Sequence, residues 1–218
     1  MSDRPEYGFD TLQLHAGQRP DSQTHSRAMP IYQTTSYCYP TAEYAADVFE
    51  GKAEGFVYTR IDNPTVTALE ERIAALEKGR GAVAFASGMA AVTATVYALC
   101  GHSDHIVSIS TLYGGTHTLL SYRLPQISNI HTTFVPPDDL QALENAIRPN
   151  TRMIFLETIC NPKINIPDFE AIVAIAKRHG VVVVLDNTFG IPPMFDARVW
   201  GINVVIHSLS KYAGGHGT

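Results

Sequence analysis

The run Val181–Asp186, VVVVLD, does most to limit what this chain can become. It is almost pure β-branched residue with no polar alternation, the pattern of a strand buried on both faces. Similar short apolar runs lie at Ala82–Ala86, Ile106–Ile109, Thr132–Val135, Met153–Leu156 and Val204–Ile206. Between them fall helical patterns at Met89–Leu99, Gly115–Arg123, Asp138–Ile147 and Pro167–Arg178. Strands alternating with helices predict an α/β fold, a mainly parallel sheet with helices on both faces.

Upstream the periodicity is weak. The first sixty or so residues are rich in turn formers and tyrosines, with one helical stretch from Thr41 to about Glu50. At Asn63-Pro64 a proline occupies a favoured helix-start position. Val66, Leu69, Ile73 and Leu76 then share one face, with Gly79 and Gly81 as stop signals. We therefore expect residues 1–62 to form an arm that packs on something else, and 63–218 to form the main domain.

Composition narrows the function. Apolar residues make up 45% and charged residues 17%, a globular balance. The net charge of −5 contains no block of like charges, so neither nucleic acid nor a polybasic membrane contact is expected. The start, MSDRPEYGFD, lacks the basic and apolar regions of a signal peptide, and no apolar run has bilayer length. A soluble, cytoplasmic protein is the expectation. Cys38, Cys100 and Cys160 are far apart without CxxC spacing, which reads as free thiols. His102 and His105 sit in a polar turn without metal-ligand spacing, so no metal site is expected.

In parallel α/β sheets ligands bind at the carboxyl ends of the strands. Three such ends stand out: Asp186-Asn187-Thr188, Ser208 with Ser210 and Lys211, and Ser87-Gly88-Met89 running straight into a helix. Each alone has a plain explanation: a helix cap, a solvated lysine, a small-residue turn. Together they match the needs of pyridoxal phosphate, which takes an amine for its aldehyde, a carboxylate for its ring nitrogen and donors for its phosphate. Lys211 offers the amine and Asp186 the acid. Gly88 and Met89 open a helix whose free N–H groups suit a phosphate. Ser208 and Ser210, two apart in an extended segment, are expected to point the same way.

The segment SLSKYAGGHGT resembles the cofactor-lysine motif of the Cys/Met-metabolism enzymes, pyridoxal-phosphate proteins of the aspartate-aminotransferase-like type I fold. YTRIDNPT (Tyr58–Thr65), the SGM turn, YGGT (Tyr113–Thr116), ETxxNP (Glu157–Pro162) and LDNT (Leu185–Thr188) follow the same family's order. The resemblance implies that Lys211 is the Schiff-base lysine and general acid/base, and that Asp186 pairs with the pyridine nitrogen. It implies that Tyr113 stacks on the ring and assists proton transfer or leaving-group departure. Gly88, Met89, Ser208 and Ser210 would hold the phosphate, and Asn161 would lie near the ring hydroxyl. Tyr58 and Arg60 would reach the phosphate of a neighbouring subunit, making the N-terminal arm an intersubunit element of a homo-oligomer, a dimer of dimers in the full-length form.

Within the family, GFDTLQLHAGQ (Gly8–Gln18) and PIYQTTSY (Pro30–Tyr37) are most similar to O-acetylhomoserine sulfhydrylases. The implied reaction is γ-replacement, with O-acetylhomoserine and sulfide or a thiol giving homocysteine or methionine and acetate. Methionine γ-lyase or cystathionine γ-synthase/lyase chemistry is the alternative; Gly115, where the lyases commonly carry cysteine, weighs against it. Family members continue into a C-terminal small domain bearing the arginine for the substrate carboxylate, and the chain as given stops at Thr218 without one. A cofactor-binding fragment that is inactive or needs a partner is thus a reading from another class. A nicotinamide-binding module fits poorly, because no GxGxxG follows a strand.

Overall fold

A computed structural model describes residues 7–217. The chain divides after Ala84 into two compact units.

The first unit contains helices α1 (Phe9–His15), α2 (Ala42–Phe49) and α3 (Pro64–Leu76). Helix α3 begins where the proline predicts. The Asn63 side chain accepts the Thr65 N–H at 2.9 Å and donates to the Tyr32 carbonyl at 2.9 Å and the Thr59 hydroxyl at 3.2 Å. One capping residue thereby ties the helix start to the preceding loop. The helix stop differs from the expectation. Lys78, at φ 53°, adopts the left-handed conformation, and the Gly79 N–H returns to the Ala74 carbonyl at 2.8 Å.

Weak periodicity concealed α1, which is short and polar on most sides. It is held to α3 through Gly17, at φ +72°, where a Cβ would lie 2.2 Å from the Ala68 carbonyl oxygen. A side chain is excluded there on both counts. Arg72 completes the tie, its Nε donating to the Ala16 carbonyl at 2.9 Å. Helix α3 therefore packs with the N-terminal segment, and the first compact unit extends to Ala84.

The Ala82–Ala86 run straddles that break and is not a strand. Its apolar residues are open, Val83 at 72% and Phe85 at 46% exposure. The Ala84 N–H, which a ladder would use, donates to the Glu70 carboxylate at 2.7 Å instead. An apolar run supplies strand propensity, but without a hydrogen-bonded neighbour it stays an extended segment.

The second unit carries the sheet. In chain order it comprises α4 (Gly88–Leu99), β1 (His105–Ile109), α5 (Gly114–Thr118), α6 (Leu124–Ser128), β2 (His131–Val135), α7 (Leu140–Asn145), β3 (Thr151–Glu157), α8 (Phe169–His179), β4 (Val182–Asp186), α9 (Ala197–Trp200) and β5 (Val204–Ile206). The five strands run parallel in the order β2-β1-β3-β4-β5. Consecutive residues of β1, and Met153–Glu157 of β3, are all buried, so both sheet faces are covered. This is the α/β architecture expected from the alternating pattern.

The segment expected as one helix at Gly115–Arg123 runs on to Ser128, with a wider π turn at Leu119–Arg123 between α5 and α6. Pro125 lies just beyond that turn and has no N–H to donate, which favours a local change of helical pitch. Helix α8 is better defined. Asp168 caps its start by accepting the Ala171 N–H at 3.0 Å, and Gly180 ends it at φ 65°. Its buried stripe of Phe169, Ile172, Val173, Ile175 and Ala176 joins the core, each large side chain contributing about 1.5–3 kcal/mol.

His105, at the amino end of β1, is buried and pins three strands. Its ring nitrogens lie 2.8 Å from the Thr151 hydroxyl on β3 and 2.9 Å from the Thr133 hydroxyl on β2. Burial, with Arg148 and His131 nearby, pushes its pKa down to about 4, so the ring is neutral there. This histidine is structural.

The chain leaves β1 for β2 on one side and then crosses back to β3 on the other. That reversal opens a crevice outside the carboxyl ends of β1 and β3, where α/β proteins bind ligands.

Candidate functional site

The crevice is a cleft of about 270 Å³, built entirely from the second unit. Its wall takes residues from every strand end bordering it: Tyr113 after β1, Glu157 and Asn161 at and after β3, Asp186 and Thr188 at and after β4, and Ser208, Ser210 and Lys211 after β5. The start of α4 supplies Ser87, Gly88 and Met89. Separate in sequence, these residues converge because parallel strands all present their carboxyl ends to one edge.

The start of α4 brings several hydrogen-bond donors to the cleft. Ser87 caps it, its hydroxyl accepting the Ala90 N–H at 3.1 Å. The N–H groups of Gly88 and Met89 belong to the first turn and find no partner within the helix. Gly88 has a steric reason as well: a Cβ there would sit 2.8 Å from Ser208 Cβ. Only glycine lets the serine loop approach the helix start so closely. Ser208 and Ser210 do lie together, their hydroxyls 3.1 Å apart. They reach this arrangement through a turn, with the Lys211 N–H on the Ser208 carbonyl at 3.0 Å, and not through the extended segment expected from their spacing. Two hydroxyls, free amide groups and a helix dipole form a donor set suited to a phosphate dianion.

Asp186 ends β4. Its Oδ1 accepts the Thr188 N–H at 3.0 Å and also the Thr188 hydroxyl. Among the described residues its hydrogen bonds all fall on Oδ1, leaving Oδ2 as a free acceptor in the cleft wall. Burial pushes its pKa up, against the pull of the Thr188 bonds and of His207. A carboxylate in that state gains from a cation, and a protonated ring nitrogen is one. Thr188 links this acid to the phosphate side, because its hydroxyl also accepts the Ser208 N–H at 2.9 Å.

Glu157, at the end of β3, is a site residue the strand-end reading passed over. It is 5% exposed, and burial pushes its pKa up to about 7, with Asp186 adding to the rise. Its Oε1 accepts the Tyr113 N–H at 2.6 Å and its Oε2 the Asn161 N–H at 3.0 Å. Reading all strand ends, not three, would have found it. The Tyr113 ring itself is half exposed at the cleft. Gly115 packs beside it, since a Cβ there would meet Tyr113 Cε1 at 2.6 Å and Met89 Sδ at 3.3 Å.

Tyr58 and Arg60 belong to the first unit, where the Arg60 guanidinium lies over the Tyr58 ring, 5.6 Å from its centroid. Among the described residues no cluster of His, Cys, Asp and Glu could hold a metal ion, and no helix is long and apolar enough to cross a membrane.

Fold and site together define an α/β protein that presents an amine, an acid and a group of hydrogen-bond donors in one strand-end cleft. The chain belongs to the family described as Cys/Met metabolism PLP-dependent enzyme, whose pattern matches residues 10–218. It is 47% identical over 213 residues to a homocysteine/cysteine synthase of Saccharomyces cerevisiae, covering 96% of this chain and 48% of that protein. It is 42% identical over 218 residues to an O-acetyl-L-homoserine sulfhydrylase of Corynebacterium glutamicum, covering 100% of this chain and 50% of that one. A Campylobacter jejuni crystal structure, described as an O-acetylhomoserine (thiol)-lyase and containing N'-pyridoxyl-lysine-5'-monophosphate, superposes with a TM-score of 0.92 at 39% identity, over 97% of this chain and 52% of that one. The chain thus spans about half the length of the curated relatives it matches.

Proposed function

We propose that this chain forms the cofactor-binding part of an enzyme that replaces the γ-substituent of an activated homoserine. O-Acetylhomoserine and sulfide would give homocysteine and acetate; a small thiol in place of sulfide would give the thioether. The observation that carries the proposal is the convergence of Lys211, Asp186, the paired serines and the start of α4 on one cleft. The names borne by the yeast and Corynebacterium relatives support the substrate class.

The residues present fit pyridoxal phosphate. Gly88, Met89, Ser208 and Ser210 would bind its phosphate, Asp186 would hold a proton on its ring nitrogen, Asn161 would lie by its ring hydroxyl and Tyr113 would stack on its ring. When bound, the cofactor supplies an electron sink for negative charge at the substrate α-carbon. Lys211 would anchor the cofactor covalently and would serve as the base that takes the α-proton. The Tyr113 hydroxyl would move a proton near the departing acetate. Residues 1–62 are proposed as the arm that reaches a neighbouring subunit, with Tyr58 and Arg60 toward that subunit's phosphate in a homo-oligomer.

A substrate panel on the full-length protein with added cofactor tests the reading. Homocysteine formed from O-acetylhomoserine and sulfide, faster than any 2-oxoacid released from methionine, is the expected result. Methionine cleavage as the dominant activity would overturn the replacement assignment.

A further inference from the structure

Glu157 is the most unusual group in the cleft wall that the proposed chemistry leaves unused. It ends a buried strand, is nearly inaccessible, and neighbours Asp186 in strand register. A second buried acid beside a first is costly to a fold, since each disfavours ionisation of the other. Its two oxygens are divided between two loops, Oε1 to the Tyr113 N–H at 2.6 Å and Oε2 to the Asn161 N–H at 3.0 Å. These are the loops that present the proposed stacking ring and the proposed partner of the ring hydroxyl.

We infer that Glu157 is a positioning residue that fixes Tyr113 and Asn161 relative to each other, so that the cleft holds a planar ring in a single orientation. The inference rests on the cofactor reading above. It depends on the geometry of one carboxylate bridging two backbone donors. A charged acceptor makes such bonds about twice as strong as a neutral one. Burial, which pushes the Glu157 pKa up to about 7, opposes this, and the two N–H donors pull the other way.

The test is a double-mutant cycle on pyridoxal phosphate affinity, followed by absorbance on the full-length protein. Glu157→Gln keeps side-chain volume and one acceptor oxygen. We expect it to weaken binding about tenfold, the size of losing one charge-assisted bond. It should also diminish the circular dichroism of the bound chromophore, which reports a fixed ring orientation. In a Tyr113→Ala, Asn161→Ala background the same substitution should cost less than about twofold, because the groups it positions are gone.

An equal loss in both backgrounds, or unchanged affinity and dichroism, would overturn the inference. Should Glu157→Gln not fold, Glu157→Asp is run through the same cycle. If neither folds, the residue serves the fold and the inference fails. Wild-type protein that does not bind the cofactor at all would instead refute the underlying reading.

Discussion

Glu157 and Asp186 are register partners on neighbouring parallel strands, so two carboxylates close the same edge of the cleft. Burial pushes both pKa values up, that of Glu157 to about 7 from 4.5. In each case burial disfavours the charged form.

That pair makes cofactor-free stability depend on pH. Between pH 4.5 and 7 the folded protein holds a proton on Glu157 that the unfolded chain has released, so this stabilisation is lost as pH rises through that window. His105 acts oppositely. Its pKa is about 4 when folded against 6.5 otherwise, so its contribution is present above 6.5 and lost as pH falls toward 4. The two slopes offset each other over much of their range. We predict that Glu157→Gln steepens the acid-side loss of melting temperature, and that His105→Asn exposes a decline between pH 4.5 and 7. Profiles parallel to wild type in both variants would contradict the assigned shifts.

Gly88→Ala should damage the proposed phosphate site more than the fold. The new methyl group would sit 2.8 Å from Ser208 Cβ, so either the helix start or the serine turn must retreat. The expected cost in stability is about 1–3 kcal/mol. Pyridoxal phosphate affinity should fall by about tenfold or more, as hydroxyl and amide donors part. Titration of the cofactor alongside a melting curve separates the two effects, and unaltered affinity would count against that site.

Thr188→Val removes the hydroxyl that bonds the Asp186 carboxylate while accepting the Ser208 N–H. Leaving a buried N–H without its acceptor costs about 1–3 kcal/mol. Losing a donor to the carboxylate should also raise the Asp186 pKa further. The expected outcome is weaker cofactor binding whose loss on acidification sets in at a higher pH than in wild type, read from affinity measured as pH is lowered. A variant with wild-type affinity throughout would show that Thr188 does not connect the two sites.

The strands β1 to β5 were legible because buried parallel strands write themselves as β-branched runs, and the rule that ligands sit at their carboxyl ends led to Asp186, Ser208 and Lys211. What remained hidden was set by partners distant in sequence. Ala82–Ala86 has strand composition but no ladder neighbour, so Glu70 takes its N–H. Helix α1 is held where Gly17 approaches Ala68 of α3 and Arg72 of α3 reaches back to the Ala16 carbonyl, contacts no local pattern encodes. Lys78 takes the left-handed position that Gly79 seemed to claim, because the helix ended one residue sooner. Glu157 entered the sequence reading only as the first residue of a motif; its importance lies in two N–H groups brought to it from other loops.

We propose that the Lys211 amine bonds covalently to pyridoxal phosphate in the cleft it shares with Asp186. Visible absorbance of purified full-length protein with added cofactor, before and after borohydride reduction, measures it directly. We predict a yellow protein whose reduced form carries the pyridoxyl group on the peptide containing Lys211, and a Lys211→Ala variant without the covalent band. A label found on another lysine, or a Lys211→Ala protein that keeps both band and turnover, would contradict the account.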